Sequence, residues 1–265
     1  MVLTDNLLYY FKIDDNAANT TAVDSVGTAN GTYSANSSSA TTASGKLDRA
    51  LICETTNNYY ISVPDNANFD TQTFSIAFWA KTTSIANMVA VSKWWDNSNR
   101  QWDIGFNNKV ITFLIGYAGS FKSVTYNLDY TDGAWRHYGF SMNNGTVKIY
   151  VNGSEVASNA TGYTMLYNSR AMYIGQSSYH GVSNYLEFIG NIDELGFWNK
   201  VLTTEFNNLY NGGTGLTYPF LTAPRFQINI GDAWKTVAAV KINIGDAWKD
   251  VTAAQINIGD SWKSI

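Results

Sequence analysis

Val147-Lys148-Ile149-Tyr150-Val151, followed at once by Asn152-Gly153, has apolar residues at every second position and then meets a dipeptide that tolerates positive φ. This is the pattern of a half-buried strand running into a tight turn. Segments of the same kind lie on either side of it: Tyr59-Tyr60-Ile61-Ser62-Val63, Phe74-Ser75-Ile76-Ala77-Phe78-Trp79-Ala80 and Val110-Ile111-Thr112-Phe113-Leu114-Ile115. Gly, Asn and Asp punctuate them, and many short strands between such turns predict a β-sandwich over residues 1–218. One helix is expected, starting at Thr203 as N-cap and stopping at Asn211-Gly212.

The composition agrees with a folded β-rich chain: 265 residues, 45% hydrophobic and 15% aromatic, with only 14% charged. A net charge of −4 supplies no basic surface for counterion release, so no nucleic-acid partner is expected. A single cysteine, Cys53, forms no internal disulfide, and two histidines leave little material for a zinc site. Cys53 lies in an alternating apolar strand and reads as a buried, inert thiol. No run of apolar residues is long enough to cross a membrane as a helix, so no membrane partner is expected. The N-terminus reads as a first strand rather than a secretory signal.

The C-terminus repeats. Ile228-Asn229-Ile230-Gly231-Asp232-Ala233-Trp234-Lys235 returns from Ile242 to Lys249 and again, with Ser261 for Ala, from Ile256 to Lys263, a spacing of 14 residues. In each copy an alternating run, a Gly-Asp turn and a second extended run predict a small β-hairpin. Pro219 and Pro224 precede the first copy, which sets the organisation as a domain over 1–218, a linker over 219–225 and a three-repeat hairpin tail over 226–265. The Trp residues of the repeats are read first as spacers packed between units, with sugar contact or subunit association as the alternatives.

Seven fragments in order resemble one family. They are Asp24-Ser25-Val26-Gly27 with Asn30-Gly31-Thr32; Tyr59 to Pro64; Phe74 to Trp79; Trp135-Arg136-His137-Tyr138; Val147 to Gly153; Gly190-Asn191-Ile192-Asp193-Glu194-Leu195-Gly196-Phe197-Trp198-Asn199; and Leu209-Tyr210-Asn211-Gly212. Together they resemble the laminin-G-like domains of concanavalin A-like jelly-roll topology. The resemblance implies an all-β sandwich of two antiparallel sheets and leaves the function open among adhesins, binding modules and glycosidases. It also implies a structural calcium ion tying the N-terminal loop to the last strand, with Asp24, Asn30 and Asp193 at the matching positions. Trp135 and His137 match a structural Trp-X-His and are expected in the core. The tail copies resemble C-terminal repeats of phage structural proteins, which implies a virion setting reached without a secretory signal.

Sugar binding needs flat aromatic faces for stacking and planar polar groups for hydroxyl pairs. Lys93-Trp94-Trp95-Asp96-Asn97-Ser98-Asn99-Arg100-Gln101-Trp102 concentrates both, and Trp94 and Trp95 must point to opposite faces of a strand. Trp94, Trp95, Arg100 and Trp102 are therefore one candidate set; Tyr163, Tyr167, Tyr179 and His180 are a second. A glycosidase would need two facing carboxylates, which jelly-roll glucanases usually carry as Glu-X-Asp-X-X-Glu on one strand. That motif is absent, and Asp193 and Glu194, being adjacent, are expected on opposite faces. The sequence thus reads as a non-catalytic, carbohydrate-binding virion protein whose repeats contact other virion proteins or a second copy of the chain. The alternatives are a purely structural virion decoration protein and a divergent glycan depolymerase.

Overall fold

The computed structural model describes residues 2–27, 29–54, 56–57, 59–94, 100–118, 120–177 and 186–220, together with the backbone of six tail strands. It divides into two units, Met1–Phe220 and Leu221–Ile265. In the first, the strands are β1 (Leu7–Phe11), β2 (Thr21–Ala22), β3 (Gly31–Tyr33), β4 (Thr41–Thr42), β5 (Ala50–Cys53), β6 (Ile61–Val63), β7 (Thr73–Lys81) and β8 (Met88–Trp94). They continue as β9 (Arg100–Asn107), β10 (Val110–Tyr117), β11 (Ser120–Asn127), β12 (Arg136–Asn143), β13 (Thr146–Val151), β14 (Ser154–Ala160), β15 (Met172–Ile174) and β16 (Gly190–Trp198). A single-turn α1 (Ser37–Ala40) precedes β4, and α2 (Glu205–Tyr210) follows β16.

Two 8-stranded antiparallel sheets result, in the orders β14-β13-β12-β7-β16-β5-β4, with β1 also on β16, and β11-β10-β9-β8-β15-β6-β3-β2. The apolar positions of both sheets interleave in one core that includes Phe74, Ile76, Phe78, Trp102, Ile104, Phe113, Phe140 and Phe197. This is the expected all-β jelly-roll-type sandwich, and burial of such rings dominates its stability.

The outer face of the first sheet is covered by the segment 202–220, which follows β16. Leu202, Phe206, Leu209 and Phe220 lie with Tyr10, Ala77, Tyr150 and Trp198 in a second apolar cluster. Phe206 packs tilted against Tyr150 at 4.3 Å and lies so close over β12 that a Cβ on Gly139 would stand 2.5 Å from its ring. The helix is shorter than expected: Thr204 takes the N-cap position, and the Glu205 carboxylate accepts the Thr203 N–H at 3.0 Å. Asn211 and Gly212, both at positive φ, end it as expected. Phe220 belongs to this cluster, so the sandwich extends into the expected linker.

Two other expectations are corrected on this face. Trp135 is half-buried rather than core, with the Lys81 ammonium 4.9 Å from its ring, whereas His137 is buried and burial holds its pKa down at about 3. Asp193 and Glu194 do not alternate. The β16–β7 register shifts between Asp193 and Gly196, Glu194 takes φ 52°, and two residues stand between the core residues Ile192 and Leu195. The bulge therefore turns both carboxylates to the covered outer face. Asp193 Oδ2 accepts the N–H groups of Lys46 and Leu47 at 2.7 and 2.9 Å, and Glu194 Oε2 accepts the Tyr10 hydroxyl.

In the second unit each repeat forms its own two-stranded antiparallel sheet: β17 (Gln227–Ile230) with β18 (Ala233–Thr236), β19 (Lys241–Ile244) with β20 (Ala247–Asp250), and β21 (Gln255–Ile258) with β22 (Ser261–Ser264). The registers are equivalent, Asn229, Asn243 and Asn257 standing opposite Trp234, Trp248 and Trp262.

Candidate functional site

The aromatic sets expected from the sequence converge on one end of the second sheet. Along β8 and β9, Lys93 pairs with Trp102 and Trp94 with Arg100, which leaves Gln101 as the extra residue of a bulge. Lys93, Gln101 and Trp102 are all fully buried, while Trp94, itself only 9% exposed, and the half-buried Arg100 take the opposite parity beneath Phe121. The Arg100 guanidinium lies 5.1 Å from the Trp94 ring and 5.5 Å from Phe121, and Trp94 meets Phe121 edge to face at 6.0 Å. Gly116, opposite Phe121 in register, makes room: a Cβ there would fall 2.2 Å from that of Arg100. Phe121 is 47% exposed, an apolar ring held flat by a cation.

At the same end of the sheet but with the parity of the core residues Phe113 and Ile115, Tyr117 carries Tyr163 stacked on it at 3.9 Å and 11°, with the Lys122 ammonium 5.8 Å from the Tyr163 ring. Tyr163 and Tyr167 are 40% and 45% exposed, and the Tyr167 hydroxyl accepts the Gln72 side-chain amide at 2.8 Å. On the outer face Asp103 pairs in register with Ser92 and Leu114, and burial pushes its pKa up to about 7. Near neutrality such a carboxyl both donates to and accepts from hydroxyl groups.

Of the expected sugar-contacting residues, Trp94, Arg100, Tyr163 and Tyr167 thus stand at this end. Trp95, Tyr179 and His180 lie outside the described residues. Trp102 is corrected: it points into the inter-sheet core beside Phe74 and Phe197, because the bulge at Gln101 reverses the alternation before it, and a ring with no exposure cannot stack on a ligand. Sequence reasoning missed Phe121, Tyr117 and Asp103. An apolar Phe121 between Ser120 and Lys122 on an edge strand was the available signal.

The residues expected to hold calcium serve as backbone braces. Asp24 Oδ1 accepts the N–H groups of Tyr10 and Val26 at 2.9 and 3.1 Å, and its Oδ2 accepts that of Ala29 at 3.2 Å. Asn30 Oδ1 accepts the Asp24 N–H at 3.0 Å, and Asp193 Oδ2 is taken by Lys46 and Leu47. Lone pairs aimed at N–H donors do not compose a calcium shell. Among the described residues, no three His, Cys, Asp or Glu side chains form a metal-holding group. Asp24 and Asn30 thus spend these oxygens on backbone N–H groups, whereas Asp193 Oδ1 is buried with no hydrogen-bond partner.

The sequence profile of the Concanavalin A-like lectin/glucanases superfamily matches residues 55–205. The chain belongs to this superfamily. No curated protein matches the sequence. Among solved structures, the receptor-binding domain of botulinum neurotoxin mosaic serotype C/D is 18% identical at a TM-score of 0.59, covering 78% of this chain and 51% of that one. The botulinum neurotoxin serotype D ligand-binding domain in complex with N-acetylneuraminic acid is 18% identical at 0.58, with 78% and 51% covered. Domain 4 of AbnA, an extracellular arabinanase of Geobacillus stearothermophilus, in complex with arabinotriose, is 20% identical at 0.52, with 77% and 97% covered. The chain thus spans about half the length of the neurotoxin domains it matches. These likenesses are of fold. In this member of the superfamily, the Asp193–Glu194 pair is buried beneath the 202–220 segment.

Proposed function

We propose that this superfamily member is a non-catalytic carbohydrate-binding protein that docks a glycan on an aromatic platform wrapping the β10–β11 end of the second sheet, with Phe121, backed by Trp94 and Arg100, on its outer face and the stacked Tyr117–Tyr163 pair on its inner side. The exposed rings of Phe121 and Tyr163, each backed by a second aromatic ring and accompanied by a cation, carry the reading. Flat apolar faces bounded by planar donors suit the C–H faces and hydroxyl edges of a pyranose. Holding the rings in advance lowers the ordering cost of binding. Solved relatives of this fold in complex with N-acetylneuraminic acid and with arabinotriose support it. The setting we propose is a phage virion, with the three tail hairpins contacting other virion proteins and display in many copies raising a weak single-site affinity.

The test is a glycan array probed with the full chain, including sialylated and arabinan oligosaccharides, followed by titration of any hit against Phe121→Ala and Tyr163→Ala. Each substitution is expected to weaken binding roughly tenfold. Silence across the array, or variants that bind as tightly as the parent, would refute the proposal.

A further inference from the structure

The segment 161–171 carries Tyr163 and Tyr167 but belongs to no strand, so its backbone has no ladder to satisfy it. Thr161 and Leu166 donate their N–H groups to Gly145 O and Gly116 O, and side chains hold much of the rest. The Gln72 amide donates to Met165 O at 2.9 Å and accepts the Met165 N–H at 2.9 Å. Gln101 bridges Phe69 O, at 2.7 Å, to the Asn168 N–H, at 3.3 Å.

Lys93 completes the clamp and is the least expected member, being a fully buried lysine near the end of β8. Its ammonium donates to Asp65 Oδ1 at 2.7 Å, Asn168 O at 2.7 Å, Asn168 Oδ1 at 3.2 Å and Arg170 O at 2.9 Å. The Phe69 ring lies 5.6 Å away. One carboxylate, two backbone carbonyls and one amide oxygen are the donor types that hold a hard cation. Their 2.7–3.2 Å spacing suits N–H donors rather than calcium, which needs about 2.3–2.6 Å. The Asn168 side-chain amide also donates to Lys93 O at 3.1 Å, so the two residues hold each other.

We propose that Lys93 is the positioning residue of the aromatic platform: its ammonium fills a cation cage and fixes the 163–170 segment, and with it the Tyr163 ring, against β8 and β9. Burial lowers the pKa of Lys93 while Asp65 raises it, and the ion pair compensates a charge that would otherwise be too costly to bury. The link to ligand binding rests on the glycan reading above; the cage does not.

The experiment is chemical rescue of Lys93→Ala in the full chain. Methylammonium chloride is compared with potassium chloride at equal ionic strength and with calcium chloride, and amide exchange at 163–170 is read alongside the thermal midpoint and glycan affinity. In Lys93→Ala, protection at 163–170 is expected to fall by at least about tenfold, and methylammonium is expected to restore it and raise the midpoint of the variant but not of the parent. Glycan affinity should fall and recover in parallel. Full protection and affinity in Lys93→Ala, or no response to methylammonium, overturns the proposal. A parent chain that binds no glycan, together with restored protection, removes the glycan reading and leaves the cage standing. If Lys93→Ala does not fold, Asp65→Asn is read the same way. It keeps the cage filled but removes its carboxylate, so partial loss of protection confined to 163–170 is expected, and unchanged protection refutes the cage.

Discussion

Alkaline pH is expected to destabilise the sandwich through Glu194. The bulge in β16 buries this carboxyl beside that of Asp193, and desolvation raises the two pKa values to about 8 and about 9. A carboxyl whose folded pKa is raised is more stable protonated. Its contribution is therefore complete below the unfolded pKa and is lost as pH rises through the folded one. For Glu194 the loss begins above about pH 4.5 and is complete above about pH 8. At 1.36 kcal/mol per unit the change is on the order of 5 kcal/mol, and with exposure of only 4% there is little solvent screening to reduce it. A domain of ordinary stability, about 5–15 kcal/mol, would feel this strongly.

The assay is urea unfolding followed by tryptophan fluorescence at about pH 5, pH 7 and pH 9.5, for the parent and for Glu194→Gln. The glutamine keeps an acceptor for the Tyr10 hydroxyl and removes the titration. His137 has the opposite sign: its lowered pKa costs stability as pH falls from the ordinary histidine range toward about 3, and it cancels in the comparison between parent and variant. The parent should lose several kcal/mol more than Glu194→Gln on going to alkaline pH. Parallel pH profiles for the two proteins would refute the placement of Glu194 as a buried, protonated acid.

Two further outcomes follow from the packing and the braces. Gly139→Ala should cost about 1–3 kcal/mol and lower the thermal midpoint, because its Cβ would meet the Phe206 ring at 2.5 Å; an unchanged midpoint would show that α2 does not lie on β12. Calcium and EDTA should leave the midpoint unchanged, since Asp24 and Asn30 spend oxygens on backbone N–H groups; a saturable rise with calcium, abolished by Asp193→Ala, would restore the ion.

Much of the molecule is legible in local pattern. Period-two alternation locates strands such as 74–80, 110–115 and 147–151, Asn152-Gly153 marks a hairpin, and Asn211-Gly212 ends the helix, because these features depend on a few consecutive φ/ψ choices and on which side chains shun water. The 14-residue repeat likewise marks out the three antiparallel strand pairs of the tail.

Wherever the strict alternation assumed from sequence breaks, the reading fails. Bulges at Gln101 and Glu194 move Trp102 into the core and place two adjacent acids on one face. A bulge arises from the fit of a strand to its neighbours, and no residue in its own window reports that fit. The stacking of Tyr163 on Tyr117, the Arg100 guanidinium over Phe121 and the oxygen cage around Lys93 join residues far apart in the chain. By itself the sequence determined the strands, the sandwich class and the aromatic supply, because hydrophobic periodicity and turn chemistry act locally. Only the tertiary structure decided which rings face water and which charges are buried, because strand register and long-range packing set the face each side chain takes.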